Sequence, residues 1–302
     1  VTIAQTISGS MSKAESLPLR IGLDISALNP SFKEHAARGI GRYVRELSSY
    51  LSTVQMSDLE IGNFDHQGVL GSDFIKRMID LAPIGRTTLQ QQILYPFRLA
   101  RRTQNDFDVL HFPAHMDPPA WGLKNYIVTV LDLVPLVLQD LYKAINPNWR
   151  FKLARSLELR AIKNASLIIA ISDNTARDVN RILGIPFEKI VVTHLGIDQK
   201  FFIKGFSKDE TDPVLTKYKI PMGQDLILYL GGIDPRKNIS ALIGSYKILK
   251  DRGFKDTKLV IAGKVNKDKQ YPLLERLIKD NGLENEIILT GFVPDEDLFK
   301  IF

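Results

Sequence analysis

The sequence predicts an α/β fold of two doubly wound domains, the second of them incomplete. Short apolar runs alternate with longer amphipathic stretches along nearly the whole chain, the pattern of a parallel sheet covered by helices on both faces. A stretch at 203–223 punctuated by Gly and Pro breaks that rhythm, which then restarts for only two βαβ units before residue 302. The length of 302 residues itself fits two domains of roughly 150 each.

Residues 1–18 are rich in Ser and Thr with scattered charges and read as a mobile extension. They lack the basic-then-apolar layout of a secretory signal. The chain begins with Val rather than Met, which fits a fragment, a processed start or a non-standard start codon. The first domain, 19–202, carries apolar runs expected as strands at 19–25, 109–112, 126–131, 166–171 and 189–193. Between them, apolar residues at helical spacing predict helices over 41–51, 147–163 and 173–183. The segment 203–223 is expected as a linker with at most a short helix. In the second domain, 224–302, strands at 225–230, 257–262 and 286–290 alternate with helices at 237–252 and 271–281. A doubly wound domain normally runs on for several more strands, hence the expectation that this one is unfinished.

Composition is ordinary for a globular protein, with 44% hydrophobic and 25% charged residues. Cysteine is absent, which removes disulfides, zinc–thiolate sites and cysteine nucleophiles and suits a reducing, cytoplasmic compartment. The net charge of +6 asks for an anionic partner: nucleic acid, a membrane surface or a phosphorylated substrate. The basic residues are dispersed rather than striped beside aromatics, which disfavours nucleic acid. No apolar run reaches the length of about 18 residues that a spanning helix needs.

Four places carry candidate chemistry. Gly39 and Gly41, in Gly39-Ile40-Gly41-Arg42-Tyr43, open the helix after the first strand. Glycines there let backbone N–H groups approach an anion such as a diphosphate, although a tight packing turn needs them equally. The run Gly231-Gly232-Ile233-Asp234-Pro235-Arg236-Lys237-Asn238 follows a strand directly, and Pro235 and Asn238 suit a turn into a helix. Arg236 and Lys237 at a helix start oppose the macrodipole, so an anion held between them and the helix N-terminus explains them better than stability does. Asp132 ends the strand Val128-Thr129-Val130-Leu131, where open α/β sheets place their ligand crevice; capping the next turn is the equal alternative. His111 stands at another C-terminal strand end, where a hydrogen-bonded structural role is the commoner one. No histidine pair has metal-ligand spacing, so no metal site is assigned. Asp106-Phe107-Asp108 and Asp295-Glu296-Asp297 read as structural: the first lies at the wrong end of its strand, the second at a helix start.

In their order and spacing these segments resemble the retaining family 4 glycosyltransferases of the two-domain GT-B fold, closest to the bacterial mannosyltransferase-like members. The similarity spans about residues 19–302. It includes Asp108-Val109-Leu110-His111-Phe112-Pro113, Thr129-Val130-Leu131-Asp132-Leu133-Val134-Pro135, Ile169-Ala170-Ile171-Ser172, His194-Leu195-Gly196-Ile197-Asp198 and Thr290-Gly291-Phe292-Val293-Pro294. The resemblance implies two Rossmann-like domains, the first for the acceptor and the second for the nucleotide. It also implies transfer of a hexose, with mannose expected, from a GDP- or UDP-sugar to a glycan or lipid-linked acceptor hydroxyl. Configuration would be retained, in polysaccharide or glycan biosynthesis, with no cofactor or metal required. On that reading Arg236, Lys237 and Asp132 are catalytic, and Gly39, Gly41, Gly231, Gly232, Asn238 and His111 line the donor site.

Three features depart from the family pattern. Leu131 stands where the family commonly has His before the aspartate, and Gly232 where many members have Arg. The Glu-x7-Glu segment that grips the donor in the family is missing, so the chain is expected to be C-terminally truncated. Two other readings are a catalytically inactive fragment that binds nucleotide weakly and another GT-B enzyme such as a nucleotide-sugar epimerase. Segment 86–102 combines Leu89, Ile93, Leu94 and Phe97 with Arg86, Arg98, Arg101 and Arg102. That layout allows peripheral contact with an anionic membrane at its inner face, beside the plainer reading of a helix packed on the sheet.

Overall fold

The computed structural model describes residues 17–29, 39–54, 56–65, 95–142, 149–197, 202 and 205–301. They fall into two compact units, Val1–Leu195 and Gly196–Phe302. The first holds β1 (Leu19–Asp24), α1 (Gly39–Thr53), β2 (Leu59–Phe64), α2 (Tyr95–Asp106), β3 (Val109–Phe112) and β4 (Tyr126–Val130). It continues through α3 (Val134–Val137), α4 (Gln139–Tyr142), α5 (Trp149–Asn164), β5 (Leu167–Ala170), α6 (Asp173–Leu183) and β6 (Ile190–Val192).

The first sheet has strand order β2-β1-β3-β4-β5-β6, with every pairing parallel. The order reverses at β1, so the C-terminal ends of β1 and β3 flank the switch point where open sheets take ligands. Leu110 and Phe112 of β3, Val128 and Val130 of β4 and Ile168 of β5 are buried in one cluster with Ile162 of α5 and Val179 of α6. Strands covered on both faces read as continuous apolar runs, which is why these were legible. The edge strand β2 was not foreseen, because Glu60, Gly62 and Asn63 break its apolar pattern. Its place depends on tertiary packing: Gly22 and Gly62 are register partners, and the Phe107 ring stands 2.7 Å from where a Cβ would sit on either one.

The second unit holds α7 (Lys208–Lys217), β7 (Asp225–Leu230), α8 (Ile239–Asp251), β8 (Thr257–Ala262), α9 (Tyr271–Asp280), β9 (Ile287–Gly291) and α10 (Asp295–Ile301). Its sheet has order β7-β8-β9, again parallel, and is the smaller of the two. The period of two along β8 divides the core. Leu259 and Ile261 face a cluster with Ile243 of α8 and Leu274 of α9, whereas Val260 and Ala262 face Val214 of α7 and Leu298 of α10. The protein therefore has the expected GT-B-like architecture of two parallel α/β sheets.

The segment expected as a linker with at most a short helix contains the ten-residue α7. Ser207 and Glu210 form a capping box that starts α7 despite Pro213 within it. Lys217 Nζ and Tyr218 Oη then reach the Asp297 carboxylate at 2.6 and 2.7 Å, tying α7 to α10. Among the described residues no helix is long and apolar enough to cross a membrane.

Candidate functional site

Residues of chemical interest collect at the C-terminal end of each sheet. In the first unit, Asp24 closes β1 and is buried, accepting hydrogen bonds from the backbone N–H and the hydroxyl of Ser26 at 2.9 and 2.5 Å. Tyr95 is buried nearby; desolvation, then the charges of Asp24 and Asp117, push its phenol well above the ordinary value. Gly39 and Gly41 lie at the start of α1 with no acidic residue in its first turn. The first N–H groups of a helix have no partner within it and need an acceptor from elsewhere. Gly41 is buried, whereas a Cβ on Gly39 would meet nothing within 4 Å. Ala37 and Arg38 lie outside the described residues.

His111 of β3 is the register partner of Ile127 and reaches two residues further along β4, with its Nε2 2.8 Å from the Thr129 hydroxyl. Thr129 is fully buried and lies near Tyr43 of α1, whose phenol desolvation raises above its ordinary value. Desolvation lowers the His111 pKa from 6.5 to about 4, so the ring is neutral near pH 7. A neutral imidazole engaged by Thr129 is no fixed cation for a phosphate. Asp132 is exposed, and its Oδ1 accepts from the Val134 N–H at 3.1 Å. The turn-capping alternative therefore describes one of its oxygens.

In the second unit Gly231, Gly263 and Gly291 each stand at the C-terminal end of a strand. Gly231 N–H donates to Ala262 O, and Gly263 N–H to Gly291 O, both at 2.8 Å. A Cβ on Gly263 would collide with the Gly231 carbonyl oxygen, and one on Gly231 with Lys237 Nζ. Gly231 also has φ of 126°, whereas Gly232 has open space around it. Gly263 escaped the sequence reading, although its place directly after an apolar strand, like that of Gly231, was the available signal.

Pro235–Lys237 form a single 3-10 turn whose cap is Asp234, accepting from Arg236 N–H at 3.1 Å. Asn238 then adopts the left-handed region (φ 48°) and caps α8, accepting from Ala241 N–H at 3.4 Å. Arg236 and Lys237 therefore precede the helix rather than occupy its first turn. Arg236 Nε lies 3.4 Å from Asp234 Oδ1, which offsets its charge locally. Lys237 differs: its ammonium folds back over Gly231 and lies 5.8 Å from the centroid of the Tyr229 ring. Among the described residues no carboxylate pairs with it. The Tyr229 hydroxyl donates to Gly232 O at 2.5 Å, pinning the loop that carries this cation. Beside it, Lys264 Nζ lies 5.0 Å from the Phe292 ring centroid.

The Asp-x-Asp strings have structural partners. Asp108 takes the Arg20 guanidinium at 3.0 Å, which holds its carboxyl below the usual range, and Asp297 makes the α7–α10 contact. Among the described residues no three His, Cys, Asp or Glu side chains gather where a metal could sit.

Two family profiles cover most of the chain. Glycosyltransferase Family 4 matches residues 37–201, and Glycosyl transferases group 1 matches residues 211–302. The serotype-specific mannosyltransferase WbdA of Escherichia coli is 31% identical over 173 residues, covering 57% of this chain and 20% of the relative. The chain thus spans about a fifth of that relative's length. Among solved structures, WaaG, a glycosyltransferase involved in lipopolysaccharide biosynthesis, superposes with TM-score 0.58 at 15% identity, covering 92% of this chain and 72% of WaaG. Anabaena HepE in complex with UDP and glucose superposes with TM-score 0.52 at 16% identity, over 94% of this chain and 71% of HepE.

Proposed function

The chain belongs to Glycosyltransferase Family 4, and we propose that it transfers a hexose, namely mannose, from a nucleoside-diphosphate sugar to a hydroxyl of a growing polysaccharide. The observation that carries this reading is the Lys237 ammonium, held over the glycine-lined end of the second sheet with no carboxylate partner among the described residues. A UDP complex of a protein with a similar fold and a mannosyltransferase relative support the donor class and the sugar.

In the proposed reaction the bond from the anomeric carbon to the β-phosphate oxygen breaks, and the acceptor oxygen bonds to that carbon on the same face. The acceptor proton passes to the leaving diphosphate. Charge grows on the β-phosphate as the bond breaks, and Lys237 and Arg236 stabilise it where it forms. Gly231, Gly232 and Asn238 keep the approach to the diphosphate open, and in the first unit the N–H groups at Gly39 and Gly41 offer backbone donors to an anionic group. Asp132 orients the acceptor hydroxyl through the oxygen that Val134 leaves free. His111 acts as a neutral hydrogen-bonding ring fixed by Thr129. The donor is a GDP- or UDP-sugar, no cofactor is needed, and the acceptor is a glycan or lipid-linked glycan. The protein then works at the cytoplasmic face, in peripheral contact with anionic lipid. Of the segment first considered for that contact, 86–94 lies outside the described residues, and α2 begins at Tyr95.

The test is transfer of labelled mannose from GDP-mannose, with UDP-sugars alongside, to a polysaccharide acceptor, with the anomeric configuration read by NMR. Transfer with retention is expected. Neither transfer nor hydrolysis from any of these donors would refute the reading.

A further inference from the structure

The chain contains one Asn-Gly step, Asn281-Gly282, and the structure places it at the end of α9. Asparagine followed by glycine is the pair most prone to close on itself, because glycine has no Cβ to hinder the approach of its nitrogen to the side-chain amide. Closure bonds the Gly282 nitrogen to the Asn281 Cγ in a succinimide ring. The Cγ–Nδ2 bond breaks, and the amide leaves as ammonia with the proton from the Gly282 N–H. Water then opens the ring at either carbonyl, giving aspartate or isoaspartate.

Both nitrogens that closure involves are engaged in the folded chain. Asn281 Nδ2 donates to Leu277 O at 2.7 Å, which turns the amide back along the helix. Gly282 N–H donates to Lys279 O and Leu283 N–H to Ile278 O, both at 3.0 Å. The helix thus ends in a closed turn, with Gly282 in the left-handed region at φ of 63°. The backbone is also rotated away from closure. Asn281 has ψ of 0°, which sets the Gly282 nitrogen alongside the Asn281 nitrogen. Tetrahedral geometry then holds Cβ well away round the Cα–C bond, whereas the ring needs the Gly282 nitrogen and Cβ on the same side. Gly282 is exposed, so water can reach the ring once it forms.

We propose that Asn281-Gly282 is a deamidation site latched by the end of α9, converting to aspartate and isoaspartate when that turn opens. The inference concerns the durability of the second unit and is independent of sugar transfer. Its consequence follows from what the turn holds. Leu283 is buried in the cluster that α8 and α9 share with the sheet. Its carbonyl accepts from Glu286 N–H at 2.9 Å and from Ile287 N–H at 3.1 Å, where β9 begins. Glu286 in turn holds Lys250 and Lys258 at 2.8 and 3.0 Å. Isoaspartate adds a methylene to the backbone just ahead of these contacts. Aspartate sets a carboxylate against Leu277 O, at the negative end of the helix.

The test is to incubate the full chain in mildly alkaline buffer, with and without guanidinium chloride, and to map its peptides by mass. Deamidation at Asn281 is expected in both. The folded chain should react more slowly by on the order of tenfold or more, since closure waits on local opening. That slowing should match, within about threefold, the hydrogen-exchange protection of the Gly282 N–H, because both need the bond to Lys279 O open. Asn281→Gln, which would have to close a larger ring, should abolish the conversion. Asn281→Asp should lower the denaturant midpoint of the second unit. No conversion in denaturant would remove the site. Equal rates with and without denaturant, or conversion that follows global unfolding and not Gly282 exchange, would overturn the latch at α9. An unchanged midpoint in Asn281→Asp would overturn the consequence drawn for β9.

Discussion

Replacing Lys237 by Ala removes a cation at the end of the second sheet that has no carboxylate partner among the described residues. The side chain is exposed, and its visible contact is the Tyr229 ring at 5.8 Å. An exposed cation–π contact is worth about 0.5–1 kcal/mol, so the folded unit should lose no more than that. The catalytic cost is larger. A donor aimed at charge that develops only in the transition state is worth about 3 kcal/mol, roughly a hundredfold in rate. Because that charge is mostly absent in the ground state, the loss should fall on kcat rather than on KM for the donor. The assay is steady-state transfer from GDP-mannose by the full chain, with thermal unfolding of the same preparations. An unchanged kcat would remove Lys237 from the mechanism. A fall in Tm large enough to unfold the variant at assay temperature would refute the claim that its role is electrostatic.

Two further predictions concern glycine packing and protonation. Gly263→Ala should destabilise the second unit by about 2 kcal/mol, because its Cβ meets the fixed carbonyl of Gly231, whereas Gly232→Ala should be near neutral; denaturant melts compare them. His111 should titrate with a midpoint of about 4 in NMR, staying neutral across the pH range where an ordinary histidine changes charge. Its folded pKa lies below the unfolded value of 6.5, so the unfolded chain binds the proton more readily. The stability it contributes is full above 6.5 and is lost as pH falls towards about 4; His111→Gln should flatten that slope.

The fold was legible wherever local pattern and burial agree. Strands such as Leu-Val-Ile-Ala in β8 lie between two helix layers, so hydrophobicity alone marks them. The pattern failed where another part of the chain decides. β2 is a strand because it pairs with β1 and because Phe107 rests on Gly22 and Gly62. α7 is a helix because Ser207 and Glu210 cap it and Asp297 anchors its end, neither of which apolar spacing reports.

The candidate site shows the same division at finer grain. Sequence placed Arg236 and Lys237 together at a helix start and treated them as equivalents. Asn238 in the left-handed conformation ends a separate turn before α8 begins, so the dipole argument loses its premise. What separates the two cations is where each can reach. Arg236 is two residues from Asp234, which caps the same turn and neutralises it, a pairing the spacing already contained. Lys237 is carried back over Gly231, and only the absence of a Cβ there gives its ammonium room. Gly263, directly after β8, lies against the Gly231 carbonyl, and β9 ends in Gly291. The Lys237 ammonium is exposed and has no carboxylate partner among the described residues, so it is available to an arriving anion. Packing requires the glycine at 263, whereas the ammonium over Gly231, without a carboxylate partner among the described residues, makes Lys237 rather than Arg236 the residue on which the proposed chemistry chiefly depends.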